Sequence, residues 1–396
     1  MRDLRRRCAY TDARRLAAAL APAGDPDVLA ELGRLQLEAG EYPAAVATLE
    51  RAVAVAHGAV RERAAAWLLG ALTDAARYAE AERQAQAALR DHPSSARVLA
   101  EAGALANERS DLELADERLS AAIALDGGGE ERVRALTVLA DVRRHQGRYA
   151  DALGLLGEAT TIAETELGPG SIELAAVLNS VGVIGKFAGH FDDALAAYTR
   201  ALAILESALG PEAAPLAVLH HNLGGLAHAR RDFAAGEPHG KRSVEIRTAA
   251  YGPDHLLVAL DKAAWAALLD GLRRSAEAER LLREASTVIE RELGGDHPEF
   301  AAQLNNLAAI LARRGDVEEA ESLYRRSLAI KSAAIGGDAP PLAPTLNNLA
   351  LLLKKQGRTA EAADLFRRAF AVLADQVADD HPTLLSLRRN SADLKL

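Results

Sequence analysis

Leu304-Asn305-Asn306-Leu307-Ala308 returns as Leu346-Asn347-Asn348-Leu349-Ala350, an offset of 42 residues. Leu178-Asn179, His220-His221-Asn222-Leu223 and the altered copy Lys262-Ala263-Ala264-Trp265 fall on the same series. A chain that restates itself at a fixed period makes one supersecondary unit per period and buries its apolar faces by stacking neighbours. The 396 residues are therefore read as an elongated array, not as two or three globular domains.

Each period reads as an apolar helix, a tight turn, a second helix and a polar loop. Gly147, Gly189, Gly315 and Gly357 mark the turn, Tyr149, Phe191 and Phe233 follow two places on, and Ala152, Ala194, Gly236, Ala278, Ala320 and Ala362 come three later. Glycine allows a left-handed exit from the first helix, and the small residue lets the second helix approach. Leu304, Leu307, Ala308 and Leu311 form the stripe of a first helix, and Ala320, Leu323, Tyr324, Ser327, Leu328 and Ile330 that of a second. The loops repeat as Gly252-Pro253-Asp254-His255, Gly294-Gly295-Asp296-His297-Pro298, Gly336-Gly337-Asp338-Ala339-Pro340 and Asp379-Asp380-His381-Pro382. Asp or His there caps the next helix and Pro enters its first turn.

The pattern predicts an all-α fold, a right-handed superhelical α-solenoid of stacked helix-turn-helix repeats. Its expected parts are a basic segment and leading helix over 1–24, three shorter units over 25–126, six 42-residue units over 130–381 and a polar capping helix over 382–396. Gly127-Gly128-Gly129 is read as a junction that can bend, not as a phosphate loop. Two departures stand out: Gly271 precedes the expected turn position, which holds Arg273, and Pro238 falls inside an expected second helix, where a kink or widened groove is expected.

Composition excludes several classes. Apolar residues make up 49% and aromatics only 4% of the chain, so Ala and Leu must supply the core, as closely stacked helices do. A net charge of −9 argues against a protein devoted to nucleic-acid phosphates. Cys8 is the only cysteine, so no internal disulfide forms, and a cytoplasmic location is expected. The Arg5-Arg6-Arg7 cluster is read as a solvated terminus, and no segment reaches the roughly 20 apolar residues that span a bilayer.

The shorter units resemble tetratricopeptide repeats, and the longer ones resemble those of kinesin light chains and their bacterial relatives. Leu346-Asn347-Asn348-Leu349-Ala350 and Leu293-Gly294-Gly295-Asp296-His297-Pro298 carry the likeness, which runs over about 25–390. It implies a protein-interaction array whose concave face takes cargo peptides.

At 100° per residue, Asn305 and Asn306 lie about 110° and 150° from the centre of their helix's apolar stripe, so both are expected to face a groove. A ladder of Asn179, His221, Asn222, Asn305, Asn306, Asn347 and Asn348 would then hold a partner's backbone, with inter-repeat hydrogen bonding as the competing reading. Lys186, Arg313, Lys354 and Lys355 continue that face and favour a partner with acidic side chains or a free carboxylate, a solvated basic face being the plainer reading. His255, His297 and His381 are read as caps, Trp67 and Trp265 as packing residues, and no enzyme motif is present. The expected function is a non-enzymatic scaffold or adaptor that binds a peptide or disordered segment, without cofactor or metal. A peptide-sensing receptor that changes superhelical shape is the alternative, and a metal-dependent enzyme using His220, His221 and His228 a remote one.

Overall fold

The computed structural model describes residues 15, 17–19, 21–125, 128–335, 339–374 and 382–394. Cys8, the Arg5-Arg6-Arg7 cluster, Gly127, Gly336 to Asp338 and Asp379 to His381 lie outside the described residues. Helices follow one another without a strand among the described residues, so the chain is an all-α solenoid. Contacts divide it into two compact units, residues 1–226 and 227–396. Gly128 and Gly129 therefore lie inside the first unit, as the cap and first residue of a helix.

Unit 1 is built from α1 (Pro26–Glu38), α2 (Tyr42–Val55), α3 (Gly58–Asp74), α4 (Tyr78–Asp91), α5 (Ala96–Glu108), α6 (Leu112–Ala124), α7 (Gly129–His145), α8 (Tyr149–Ile162), α9 (Ile172–Ala188) and α10 (Phe191–Leu209). α11 (Leu216–Ala229) carries the chain out of it. Unit 2 holds α12 (Phe233–Tyr251), α13 (Leu256–Gly271), α14 (Ser275–Leu293), α15 (Pro298–Arg314), α16 (Val317–Ile335), α17 (Ala343–Lys355), α18 (Thr359–Ala371) and α19 (Pro382–Asn390).

Every turn between the paired helices uses one left-handed residue. Gly40, Gly147, Gly189, Gly315 and Gly357 take it with φ between 73° and 104°, but Ala76, Ser110, Arg231 and Arg273 adopt the same conformation at φ 56° to 64°. The register therefore survives where glycine does not. Gly271 serves packing instead, since a Cβ there would stand 2.4 Å from the Phe233 ring and the missing side chain makes room for that ring. α12 runs unbroken through Pro238, so the expected kink does not interrupt it.

The small residue of each second helix is where two helices meet. Ala45, Ala81, Ala115, Ala152, Ala194, Ala278, Ala320 and Ala362 are all fully buried. Larger residues one or two turns on fill the layer between repeats, with Tyr198 and Phe366 wholly enclosed; truncating such a ring to Ala typically costs about 3–5 kcal/mol. Loop residues close the helix ends. His255 Nδ1 accepts from the Leu257 amide at 3.2 Å and His297 Nδ1 from the Glu299 amide at 3.1 Å, which gives both imidazoles a capping role.

Candidate functional site

The asparagines of the first helices link repeat to repeat. In unit 1, Asn222 Nδ2 of α11 donates to Asn179 Oδ1 of α9 at 2.8 Å. In unit 2, Asn348 Nδ2 donates to Asn305 Oδ1 at 3.2 Å, and Asn390 Nδ2 to Asn347 Oδ1 at 2.9 Å. The spacing is constant: in each pair the carboxamide donates to one 43 residues earlier, which stands ten residues before its own turn. Sequence reasoning placed both members of each pair away from the core. The structure instead leaves Asn305 and Asn348 half-buried and buries Asn347 to 8% exposure, because the next repeat's first helix covers the flank that a single-helix projection leaves bare. Asn306 is exposed and accepts from Asn305 at 3.3 Å. Asn390 was missed as a rung, although it stands 42 residues after Asn348.

The cations foreseen on this face divide. Arg313 is bonded to Asp270, and Lys354 to Asp393 and to the Asn390 carbonyl, which takes both out of a free basic groove. Lys355 is exposed at the end of α17. Lys186 differs: it is half-buried and its ammonium makes no hydrogen bond or ion pair among the described residues. Its Nζ lies where α11 presents Gly225, 3.6 Å from the position of a Cβ there. Burial, and then the nearby Arg144 charge, push its ammonium below the usual lysine range. Beside it, Phe187 is 54% exposed and stacks on Tyr149 at 6.5 Å between centroids, with Lys186 Nζ 5.4 Å and Arg144 Cζ 5.6 Å from its ring. Lys186 and Asn179 are seven residues apart and so share one face of α9, about 10 Å along the axis.

The histidines do not assemble a metal centre. His220 is buried, His221 is half-buried at the position Asn179 occupies one repeat earlier, and exposed His228 meets the Phe233 ring edge-on at 5.5 Å. Among the described residues no group of three His, Cys, Asp or Glu could hold an ion. No helix of the described residues is long and apolar enough to cross a membrane.

A second site, unforeseen from sequence, occupies the inner side of unit 1. Arg34 of α1 reaches across to Glu130 of α7 at 2.7 Å and Glu173 of α9 at 2.8 Å, and also holds Glu38 at 2.8 Å. The first two partners lie 96 and 139 residues away, so the first helices of unit 1 face one another across a closed coil. Burial works against the Arg34 charge, but the carboxylates of Glu38, Glu130 and Glu173 outweigh it and raise the guanidinium above its ordinary range. Trp67 of α3 lies beneath, with Arg34 Cζ 5.0 Å and Arg97 Cζ 5.4 Å from its ring, cation–π distances that make it more than filling. Arg97 is bonded to Glu131, and Arg134 to Glu101 at 3.0 Å.

Between these walls lies a cavity of about 580 Å³, and Trp67 also borders a more apolar chamber of about 280 Å³ formed with Leu37, Ala100, Val133, Ile172 and Ala176. A sequence signal for part of it existed. Glu31, Trp67 and Glu101 stand nine residues before their turns, the phase that Asn222, Asn306 and Asn348 hold later.

Residues 131–207 and 299–375 match one family model of the tetratricopeptide repeat, and residues 219–257 and 266–299 match another. No curated protein sequence matches the chain. Among solved structures, the nearly identical TPR-like repeats of a Podosopora anserina protein assigned as a kinesin light chain are 20% identical. The match covers 50% of this chain and 94% of that one, at a TM-score of 0.42. BtubC from P. vanneervenii is 21% identical, with 67% of this chain and 90% of that one covered, at 0.34. A signal transduction ATPase from Pyrococcus horikoshii with a tetratricopeptide repeat sensor reaches 0.61 at 14% identity, over 87% of this chain and 54% of that one. The family matches together cover more than half the chain, and the chain belongs to the tetratricopeptide repeat family.

Proposed function

We propose that this protein is an adaptor that captures an extended peptide or disordered segment of a partner, and that Lys186 is an anchor for an acidic side chain or free carboxylate. Tetratricopeptide repeats imply a protein-interaction scaffold, and the fold is typically non-enzymatic. One observation carries the finer reading: a half-buried ammonium, depressed by burial and lacking an anionic partner among the described residues, beside an exposed phenyl ring. Such a group is stabilised when a carboxylate arrives. Asn179 supports the reading, because its oxygen serves Asn222 while its amide N–H groups have no acceptor among the described residues and can meet a peptide carbonyl.

The ladder then has two roles. It fixes the spacing of neighbouring first helices, and in unit 1 it holds the Asn179 amide in one orientation. The neutralised Arg313 and Lys354 contribute to stacking, not to ligand charge. Fluorescence anisotropy of a labelled hexapeptide with two glutamates and a free C-terminus tests the reading. Affinity should fall about tenfold in Lys186→Met, from loss of one charge-assisted hydrogen bond, and should fall with salt. Equal affinity of wild type and Lys186→Met removes the anchor.

A further inference from the structure

We propose that the inner cavity of unit 1 is a subsite for a cationic side chain, an arginine or lysine borne by an extended segment of a protein partner. This rests on the reading that the array binds peptides, and assigns a second subsite whose charge is opposite to that at Lys186.

The charge balance of the walls sets the class of ligand. Glu31, Glu62, Glu130, Glu131, Glu166 and Glu173 line the cavity against only Arg34, Arg63 and Arg97. The three guanidiniums are already engaged: Arg34 by Glu38, Glu130 and Glu173, Arg97 by Glu131, and Arg63 by Asp27 at 2.7 Å. Carboxylates clustered together do not by themselves specify a ligand. Here the same walls hold a guanidinium of the chain's own, because Arg34 lies over Trp67 and between carboxylates from three helices. The cavity thus displays the group it accommodates, and because Glu62 accepts from Ser95 and Glu31, Glu130, Glu131 and Glu173 are engaged, the place left for another cation is at Glu166.

Glu166 is the receptor for that second cation. It is exposed and lines the cavity, and its carboxylate has no hydrogen bond or ion pair among the described residues. It belongs to a π-helical turn, Ala163–Leu167, that follows α8; such turns often accompany functional positions. Gly129 at the start of α7 lets this carboxylate approach, since a Cβ at 129 would stand 2.2 Å from Glu166 Oε2. The glycine run that reads as a junction in the sequence is, at residue 129, the seat of a carboxylate. Beside it, the apolar chamber bordered by Trp67 suits the methylene stem of a long cationic side chain or a neighbouring aliphatic one.

The test uses the full chain carrying Trp265→Phe, so that Trp67 is its one indole. A blocked pentapeptide Gly-Arg-Leu-Arg-Gly is titrated while Trp67 emission is followed, with Gly-Glu-Leu-Glu-Gly as the opposite-charge probe. A saturable change with the basic peptide alone is expected, weakened about tenfold by Glu166→Gln, as for one lost charge-assisted contact. Because residue 166 is exposed, Glu166→Gln should leave the thermal unfolding curve in place. No saturable change, an equal response in Glu166→Gln, or an equal response to the acidic peptide overturns the proposal. If glutamate peptides bind at Lys186 while the basic peptide leaves Trp67 unchanged, this inference alone falls; if neither peptide binds, the peptide-adaptor reading falls with it.

Discussion

Replacing Arg273 with glycine should stabilise the protein. Arg273 sits at φ 64°, is exposed, and its side chain makes no hydrogen bond or ion pair among the described residues; its N–H bond to the Asp270 carbonyl at 3.0 Å is one that glycine keeps, so the substitution removes backbone strain without removing a contact. A side chain in the left-handed region costs about 1–2 kcal/mol, and glycine returns about 0.5–1 kcal/mol of that through the greater freedom of its unfolded chain. The net gain is about 0.5–1 kcal/mol, which at a urea slope of about 2–3 kcal/mol/M moves the unfolding midpoint up by about 0.2–0.5 M. Combining Ala76→Gly, Ser110→Gly, Arg231→Gly and Arg273→Gly, at turns in separate repeats, should add to about 2–4 kcal/mol. Circular dichroism at 222 nm during urea unfolding reads both. Ala276→Gly, three residues away and exposed inside α14, is the control and should lose about 1 kcal/mol. A lower midpoint for Arg273→Gly, or one that moves with Ala276→Gly, would show that the turn is not strained and refute the reasoning.

Four further outcomes follow from named contacts. Pro238→Ala should raise the urea midpoint, because it restores an amide donor inside α12; about 2 kcal/mol is expected, and an unchanged midpoint would show that the helix has already absorbed the proline. Asp261 is fully buried and bonded to Arg247 at 3.0 Å, so Asp261→Ala should cost about 3–5 kcal/mol by stranding that cation, whereas the pair Arg247→Met/Asp261→Leu should unfold near the wild-type midpoint. Asn347→Ala should cost about 1–2 kcal/mol through the lost bond to Asn390 while leaving glutamate-peptide affinity at Lys186 unchanged by anisotropy. Gly129→Ala should shift the Glu166 carboxylate and weaken the basic pentapeptide by Trp67 fluorescence with little change in thermal unfolding; retained affinity would mean that Glu166 reaches the cavity without the glycine.

Local regularity was legible in the sequence, and long closure was not. The 42-residue series located the left-handed residue even at Arg273, where side-chain identity argued against it, and Arg231, one period earlier, adopts the same conformation, because the turn belongs to the repeat and not to glycine. It also gave the capping histidines 255 and 297 and the small contact residues. For Asn305 and Asn347 the sequence left two readings open, a partner-binding face and inter-repeat bonding, because a helical projection knows one helix, whereas the flank holding these carboxamides is covered by the next and bonded to it. Arg34, Glu130 and Glu173 share no period. Their meeting depends on how tightly successive repeats turn, a sum of small rotations that no single repeat encodes legibly. Charge reading erred in the same way, since Arg313 and Lys354 are cations in the sequence and ion-pair partners in the fold.

The reach of Arg34 across the coil bears on how the chain acquires its structure. Repeat arrays grow by adding neighbours, so most of their contacts form soon after synthesis and cost little loop entropy. The bonds from residue 34 to residues 130 and 173 are exceptions, because they close loops of 96 and 139 residues. Until Glu130 has left the ribosome, Arg34 can reach only its local partner Glu38, and until Glu173 follows the inner cavity lacks part of its far wall. The first repeats therefore wait, folded but unlocked, for a segment made several seconds later at ordinary elongation rates of roughly 5–20 residues per second. In that interval Glu31 and Glu62, already made, lack the far wall that later faces them, and one late closing step turns a string of locally stable repeats into a cooperative unit.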